Sequence, residues 1–332
     1  MASSSSLSSL TTIKLMCFFI LFLHGMHAAE PVGDLAAGNG LGMLGFSHMF
    51  AIGDSATDTA ERLGLPFLKP FLRGKTEEDF QKGANFAVGG ATALSQDFFK
   101  EMGLDITNIP PYSLDVQLDW FKGVLHSLAS TNKELKKIMS KSMFMMGEIG
   151  GNDYGYFFAQ NKSFTNKIKP LVPKVTAKIE NAIKVLINLG AKTIIVPGVF
   201  PAGCLPRYLT MFRSNSAPED YDAFGCLKWL NEFSDYRNCA IKRMLLQIPH
   251  SPRITILYGD YCNTVLEIIR HPAIHGFKRE TVLMPCYADG SLCPDPSTYI
   301  SWDGLHLTEA AYKFVASHML HGPYSESTIC PK

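Results

Sequence analysis

Ser55 stands where an apolar run, Met49-Phe50-Ala51-Ile52, gives way to the polar turn Gly53-Asp54-Ser55. In a parallel α/β sheet, ligands bind and reacting side chains collect at the carboxyl ends of the strands. Far along the chain, Trp302-Asp303-Gly304-Leu305-His306-Leu307-Thr308 places an acid and a base close enough to share one loop. A hydroxyl, an imidazole and a carboxylate are the parts of a nucleophilic acyl-transfer site, in which the base takes the hydroxyl proton and the acid orients the base. Taken alone, Gly-Asp-Ser is a common turn or helix cap. Its weight comes from its setting.

That setting is a set of short apolar runs alternating with helical patterns. Met49 to Ile52, a short run around Asn85 to Val88, Ser142 to Met146, Thr193 to Pro197 and Ile254 to Tyr258 read as buried parallel strands. Leu114 to Met139 reads as one long helical stretch, open to a break. Ile168 to Leu189 carries Val172, Val175, Ile179, Ile183, Val185 and Leu186 on one side and is stopped by Gly190. Leu227 to Ile248 ends at Pro249, and a last helix begins near Thr308, a suitable N-cap. Alternating strands and helices predict an α/β fold: a three-layer α/β/α domain on a mainly five-stranded parallel sheet, flavodoxin-like, with right-handed crossovers. Gly40-Leu41-Gly42-Met43-Leu44-Gly45 matches the dinucleotide fingerprint in letters, but it precedes a strand instead of following one. No cofactor is expected.

Two more segments fall just past strand ends. Gly83-Ala84-Asn85-Phe86-Ala87-Val88-Gly89-Gly90-Ala91-Thr92 has paired glycines that allow close backbone approach, and Gly150-Gly151-Asn152-Asp153 offers an amide donor. Together with Gly53-Asp54-Ser55 and Ile300-Ser301-Trp302-Asp303-Gly304-Leu305-His306-Leu307-Thr308, these blocks resemble the GDSL esterase/lipase family, also called SGNH hydrolases, from about Phe50 to Tyr312. Val196-Pro197-Gly198-Val199-Phe200-Pro201-Ala202-Gly203-Cys204 and Tyr258-Gly259-Asp260-Tyr261 are similar to its plant branch, which includes acetylajmalan and sinapine esterases. The resemblance implies Ser55 as nucleophile, His306 as base and Asp303 as the acid orienting it. It also implies an oxyanion hole from the Ser55 and Gly90 N–H groups and the Asn152 amide. The implied substrate is a small acyl ester of a specialised metabolite, such as an acetylated alkaloid. The same triad would serve an acyltransferase, and a catalytically impaired member is the third reading. The family's first block continues with Gly-Asn and a long loop after the Asp58-Thr59 equivalent. Here Asp58-Thr59 runs straight into Ala60-Glu61-Arg62-Leu63-Gly64-Leu65-Pro66, with Thr59 to Leu63 able to form a short helix. Cys286 to Cys293 is likewise shorter than the plant family's usual loop.

Lys14, the apolar Leu15 to Leu23 and the small Ala28-Ala29 follow the order of a secretory signal peptide over residues 1–29, leaving 30–332 as a single domain. The apolar stretch is shorter than the roughly 20 residues a membrane span needs. The destination implied is the secretory pathway, with the extracellular apoplast or the vacuole as the end point. Formal charge is +1 with no basic stripe, which excludes nucleic acid and a polybasic membrane anchor as partners and leaves a small-molecule ester. In that oxidising compartment some of the cysteines are expected to pair, and seven of the eight lie beyond Cys17, so at least one is free or bonds another chain. Cys204 and Cys226 flank the polar, turn-rich stretch Pro206 to Gly225 and are expected to form a disulfide. Asn161-Lys162-Ser163 is a glycosylation sequon. Neither Cys-x-x-Cys nor His-Glu-x-x-His occurs, so no metal site is expected.

Overall fold

Five strands build the sheet: β1 (His48–Ile52), β2 (Gly83–Asn85), β3 (Ser142–Met146), β4 (Thr193–Pro197) and β5 (Thr255–Gly259). They pair in the order β2-β1-β3-β4-β5, and every pairing is parallel. This is the flavodoxin-like order, with β1 inside the sheet and the point where connections change direction beside it. The structure is a computed structural model describing residues 45–56, 68–160, 163–249 and 251–321. The segment read as a signal peptide, the Gly40 to Leu44 lead-in, the residues Thr59 to Leu63 expected to form a short helix, Asn161 and Cys330 lie outside the described residues.

Strand period sends alternate side chains to opposite faces. Phe50, Ile52, Phe144, Met146, Ile194 and Val196 pack on one side. They meet α2 (Leu114–Leu128), α5 (Val172–Leu189) and α7 (Lys228–Gln247). Met49, Ala51, Met143, Met145 and Ile195 face the other way, against α8 (Tyr261–Arg270) and α9 (Glu309–His321). Both faces are covered, which gives the three layers expected. Phe121 of α2 packs edge-on to Phe50 and Phe144, with centroids 5.1 and 5.7 Å away. Fully buried aromatics of this kind dominate core energetics.

Several boundaries differ from the sequence reading. The stretch from Leu114 to Met139 is two helices, α2 and α3 (Asn132–Ser140), separated where Thr131 and Glu134 form a capping box. β2 lies at Gly83–Asn85, just ahead of the apolar letters that suggested it. The polar stretch after Pro206 is not all loop, because it opens with helix α6 (Pro206–Phe212), started by proline in its first turn. Three further helices, α1 (Gln96–Glu101), α4 (Gly151–Ala159) and α8, were not anticipated. α1 is short and α4 glycine-led, so tertiary packing holds them, whereas α8 has a clear apolar stripe of Tyr261, Val265, Ile268 and Ile269 and an Asp260 cap that the sequence reading passed over. No helix among the described residues is long and apolar enough to cross a membrane.

Candidate active site

Ser55 sits in the first residues after β1, at the start of a helical turn. Its approach is fixed by extending the sheet's bonding past the strand. Gly147 N–H donates to Ile52 O at 2.7 Å, Asp54 N–H to Glu148 O at 3.0 Å, and Val88 N–H to Gly53 O at 3.3 Å. Gln117 of α2 closes the remaining gap, its Oε1 accepting from Gly53 N–H and its Nε2 donating to Gly53 O, both at 2.8 Å. The residues flanking Ser55 are therefore held from β3, from the segment after β2 and from a helix.

Asp303 and His306 reach Ser55 from one tightly tied loop before α9. Asp303 Oδ1 accepts the N–H groups of Leu305 and His306 at 2.9 and 2.8 Å. Trp302 N–H donates to His306 O at 2.8 Å, and Thr308 N–H to Ile300 O at 2.8 Å. Thr308 then caps α9, its hydroxyl accepting from Ala311 N–H at 3.2 Å. Within this loop His306 Nδ1 lies 2.6 Å from Asp303 Oδ2, and His306 Nε2 lies 2.7 Å from Ser55 Oγ. Partial burial pulls the Asp303 carboxyl up. The hydrogen bonds from the His306 ring, its N–H and Leu305 N–H outweigh that and hold it well below the usual carboxylate range. An ionised Asp303 only accepts, so Nδ1 carries the proton and donates. The neutral imidazole then presents Nε2 as acceptor to the Ser55 hydroxyl.

The other predicted site residues surround this line. Gly90 has φ +79°, and a Cβ there would come 2.8 Å from Tyr156 Oη and 3.1 Å from Pro110 Cγ, so only glycine fits. Its carbonyl accepts from Tyr156 Oη at 3.0 Å. Neither its N–H nor that of Ser55 is hydrogen-bonded among the described residues. Asn152, in the first turn of α4, donates through Nδ2 to Asp54 Oδ2 at 3.1 Å and to Ala91 O at 3.0 Å. Its amide is thus engaged by neighbouring groups. Beside it, the fully buried Asp153 carboxylate accepts from Ala93 and Leu94 N–H at 2.8 and 2.9 Å. Burial foremost pushes Asp153 up to about 7, against the pull of those bonds. Burial, and then the adjacent Glu148 carboxyl, raise Asp54 well above its ordinary value.

These groups open onto one cavity of about 710 Å³, lined by Ser55, Gly90, Asn152 and His306 at one part and by Phe158 and Phe233 at another. That is the size and mixture of walls a small ligand uses. Cys204 and Cys226 form the expected disulfide, and a second links Cys286 to Cys293 across the hairpin of β6 (Tyr287–Ala288) and β7 (Ser291–Leu292). Cys262 remains a buried thiol, which burial pushes up in pKa. Sequence reasoning did not single out Gln117, Glu148 or Arg237. Glu148 was visible only as a charge two residues past an all-apolar strand, and the other two as polar positions on otherwise amphipathic helices.

The model of the family described as GDSL-like Lipase/Acylhydrolase matches residues 49–319. The chain is 42% identical over 285 residues to GDSL esterase/lipase At1g28570 of Arabidopsis thaliana, covering 80% of this chain and 72% of that protein. It is 41% identical over 286 residues to sinapine esterase of Brassica napus, covering 80% and 72%. With these matches running through the strand ends and the loop that carry Ser55, Asp303 and His306, the chain belongs to the GDSL-like lipase/acylhydrolase family and is a carboxylic ester hydrolase.

Proposed function

We propose that the protein is a secreted serine esterase that forms an acyl-serine at Ser55 and acts on a small acyl ester of a plant specialised metabolite, such as an acetylated alkaloid. The observation that carries the mechanism is the hydrogen-bonded line Ser55 Oγ, His306 Nε2, His306 Nδ1, Asp303 Oδ2, with contacts of 2.7 and 2.6 Å. His306 takes the hydroxyl proton as Ser55 attacks the ester carbonyl, and Asp303 stabilises the resulting imidazolium. The oxyanion is met by the Ser55 and Gly90 N–H groups and by Asn152 once one of its amide hydrogens leaves its present acceptor. His306 returns the proton to the departing alcohol, and water, activated by the same base, then releases the acid. The relatives named as esterases, sinapine esterase among them, support a small-molecule ester over a polymer.

A short-chain nitrophenyl ester tests the reaction directly. Wild type should release nitrophenol, and Ser55→Ala should lose on the order of 10⁴- to 10⁶-fold in kcat with its fold intact. A variant that keeps a large part of the activity overturns the acyl-serine reading. Product analysis with an added alcohol separates hydrolysis from acyl transfer. The Lys14 to Ala29 pattern and the Asn161 sequon support secretion and glycosylation, and intact mass before and after glycosidase treatment checks both. The direct junction of Thr59 with Ala60 supports weak, unselective turnover. Inserting a family-length loop there should raise kcat/KM, and no gain would remove that reading.

A further inference from the structure

Behind the proposed oxyanion site lies a pair of carboxyls that the triad does not use. Asp54 and Glu148 are 2% and 8% exposed, Asp54 N–H donates to Glu148 O at 3.0 Å, and their carboxyls are close neighbours. Two carboxylates in contact and away from water do not both stay ionised, so the pair holds one proton. Its surroundings decide which partner keeps the charge. Arg237 Nη2 is 3.9 Å from Glu148 Oε1, and the guanidinium is itself held over the Tyr154 ring at 4.0 Å. The Glu148 carboxyl also lies against the first turn of α4, where a Cβ on Gly151 would come 2.9 and 3.0 Å from its two oxygens. That end of a helix favours negative charge. Asp54 faces only neutral donors, Ala56 N–H at 3.0 Å and the Asn152 amide at 3.1 Å, with the Asp153 carboxyl adding repulsion. The charge belongs on Glu148 and the proton on Asp54.

The consequence falls on Asn152. An ionised Asp54 would grip its N–H in a charge-assisted bond and set a negative charge beside the developing oxyanion. A neutral carboxyl does neither. We propose that Glu148 is a positioning residue for ester hydrolysis: it draws the pair's negative charge toward Arg237 and the start of α4, leaving Asp54 neutral and the Asn152 amide able to turn to the oxyanion. The inference rests on the acyl-serine reading.

Glu148→Gln keeps the shape and removes the neighbouring negative charge that helps keep Asp54 neutral, so that burial alone opposes an ionised Asp54 beside Asn152. It should lower kcat about 10- to 100-fold with KM within about twofold. Adding Asp54→Asn removes the carboxylate facing Asn152, so the double variant should recover part of the lost kcat. If Glu148 were merely structural, the double variant would be no better than the single one. That result overturns the proposal, as does wild-type kcat in Glu148→Gln. Should Glu148→Gln not fold, infrared spectra at pH 7 decide. The difference between wild type and Asp54→Asn should contain a protonated-carboxyl band, and a difference in carboxylate bands alone overturns the assignment. Ser55→Ala separates the two readings. Retained activity there fells the acyl-serine mechanism, whereas an inactive Ser55→Ala beside an unaffected Glu148→Gln fells only this inference.

Discussion

The side-chain amide of Gln117 takes both backbone groups of Gly53, accepting its N–H and donating to its carbonyl at 2.8 Å each. One buried glutamine thus does for Gly53 what a neighbouring strand does for the residues before it, and it does so two positions ahead of Ser55. Gln117→Leu keeps the volume but leaves the buried Gly53 N–H unpaired and its carbonyl with Val88 N–H at 3.3 Å. An unpaired buried group costs about 1–3 kcal/mol. The variant should lose about 1–3 kcal/mol in urea unfolding and at least about tenfold in kcat, because small displacements of a reacting group are expensive. A wild-type unfolding midpoint would show that Gly53 finds other partners.

Asp303 should not titrate in the working range. Its hydrogen bonds hold the carboxyl well below its ordinary value, so it stays ionised throughout that range. The acid limb of log kcat/KM against pH should therefore have a slope of about 1, from a single ionisation. A slope near 2 would implicate a second group. The sign for stability follows from the same depression: the Asp303 contribution is present above the unfolded carboxylate value and is lost as pH falls below it. Asp303→Asn should cost on the order of 10⁴ in kcat, since an amide fixes the wrong imidazole tautomer.

Asp153 ties α4 to the segment after Gly90 through Ala93 and Leu94. Asp153→Asn presents an N–H₂ donor to one of those N–H groups and should destabilise by about 1–3 kcal/mol. The pH dependence has the opposite sign to that of Asp303. Burial raises Asp153 to about 7 in the folded protein, so the folded state binds more protons and wild-type stability on its account falls as pH climbs from about 4 to about 7. The variant lacks that ionisation. The stability gap between wild type and variant should narrow across the same window in urea titrations, and a constant gap would show that Asp153 is already ionised throughout.

The disulfide between Cys204 and Cys226, 22 positions apart, should contribute about 3 kcal/mol by restricting the unfolded chain. Its loss should also reach the active site, because Arg207 N–H, just past Cys204, donates to Gly304 O at 3.0 Å. The Cys204→Ser/Cys226→Ser variant is expected to unfold at lower denaturant and to show reduced kcat below its own midpoint. Non-reducing peptide mapping of the wild type should recover the linked pair.

The sheet was the most legible part of the chain. Ser142 to Met146 and Thr193 to Pro197 have the same bounds in sequence and structure, because a strand covered on both faces must be apolar throughout. Ser55, Asp303 and His306 were readable from residue type, from strand-end position and from a motif. What stayed hidden depends on long-range polar contact. Gln117 looks like a surface residue of an amphipathic helix, yet it is fully buried, since its partner is a backbone 64 positions away. Helix α4 opens on two glycines and is carried by Tyr154, Phe157 and Phe158 packing into the core, a cause that local propensity does not register. The Cys286–Cys293 link went unassigned because it spans a short hairpin whose strands are two residues each.

The proposed acid and base of this site share a single loop, from Asp303 to His306, that bonds chiefly to itself and to Ser301 and Trp302 just before it. Two of the three proposed catalytic groups therefore travel as one cassette, and the bonds that set their mutual geometry lie within it. Arg207 N–H on Gly304 O and Tyr287 N–H on Trp302 O tie the cassette to other segments, and the remaining long-range coordinate is its gap to Ser55. A change in a crossover that leaves these ties in place alters the walls of the cavity without touching the proposed proton relay. A lineage built this way can exchange substrates by trading loops, and an engineer can graft new walls around the same two anchor points.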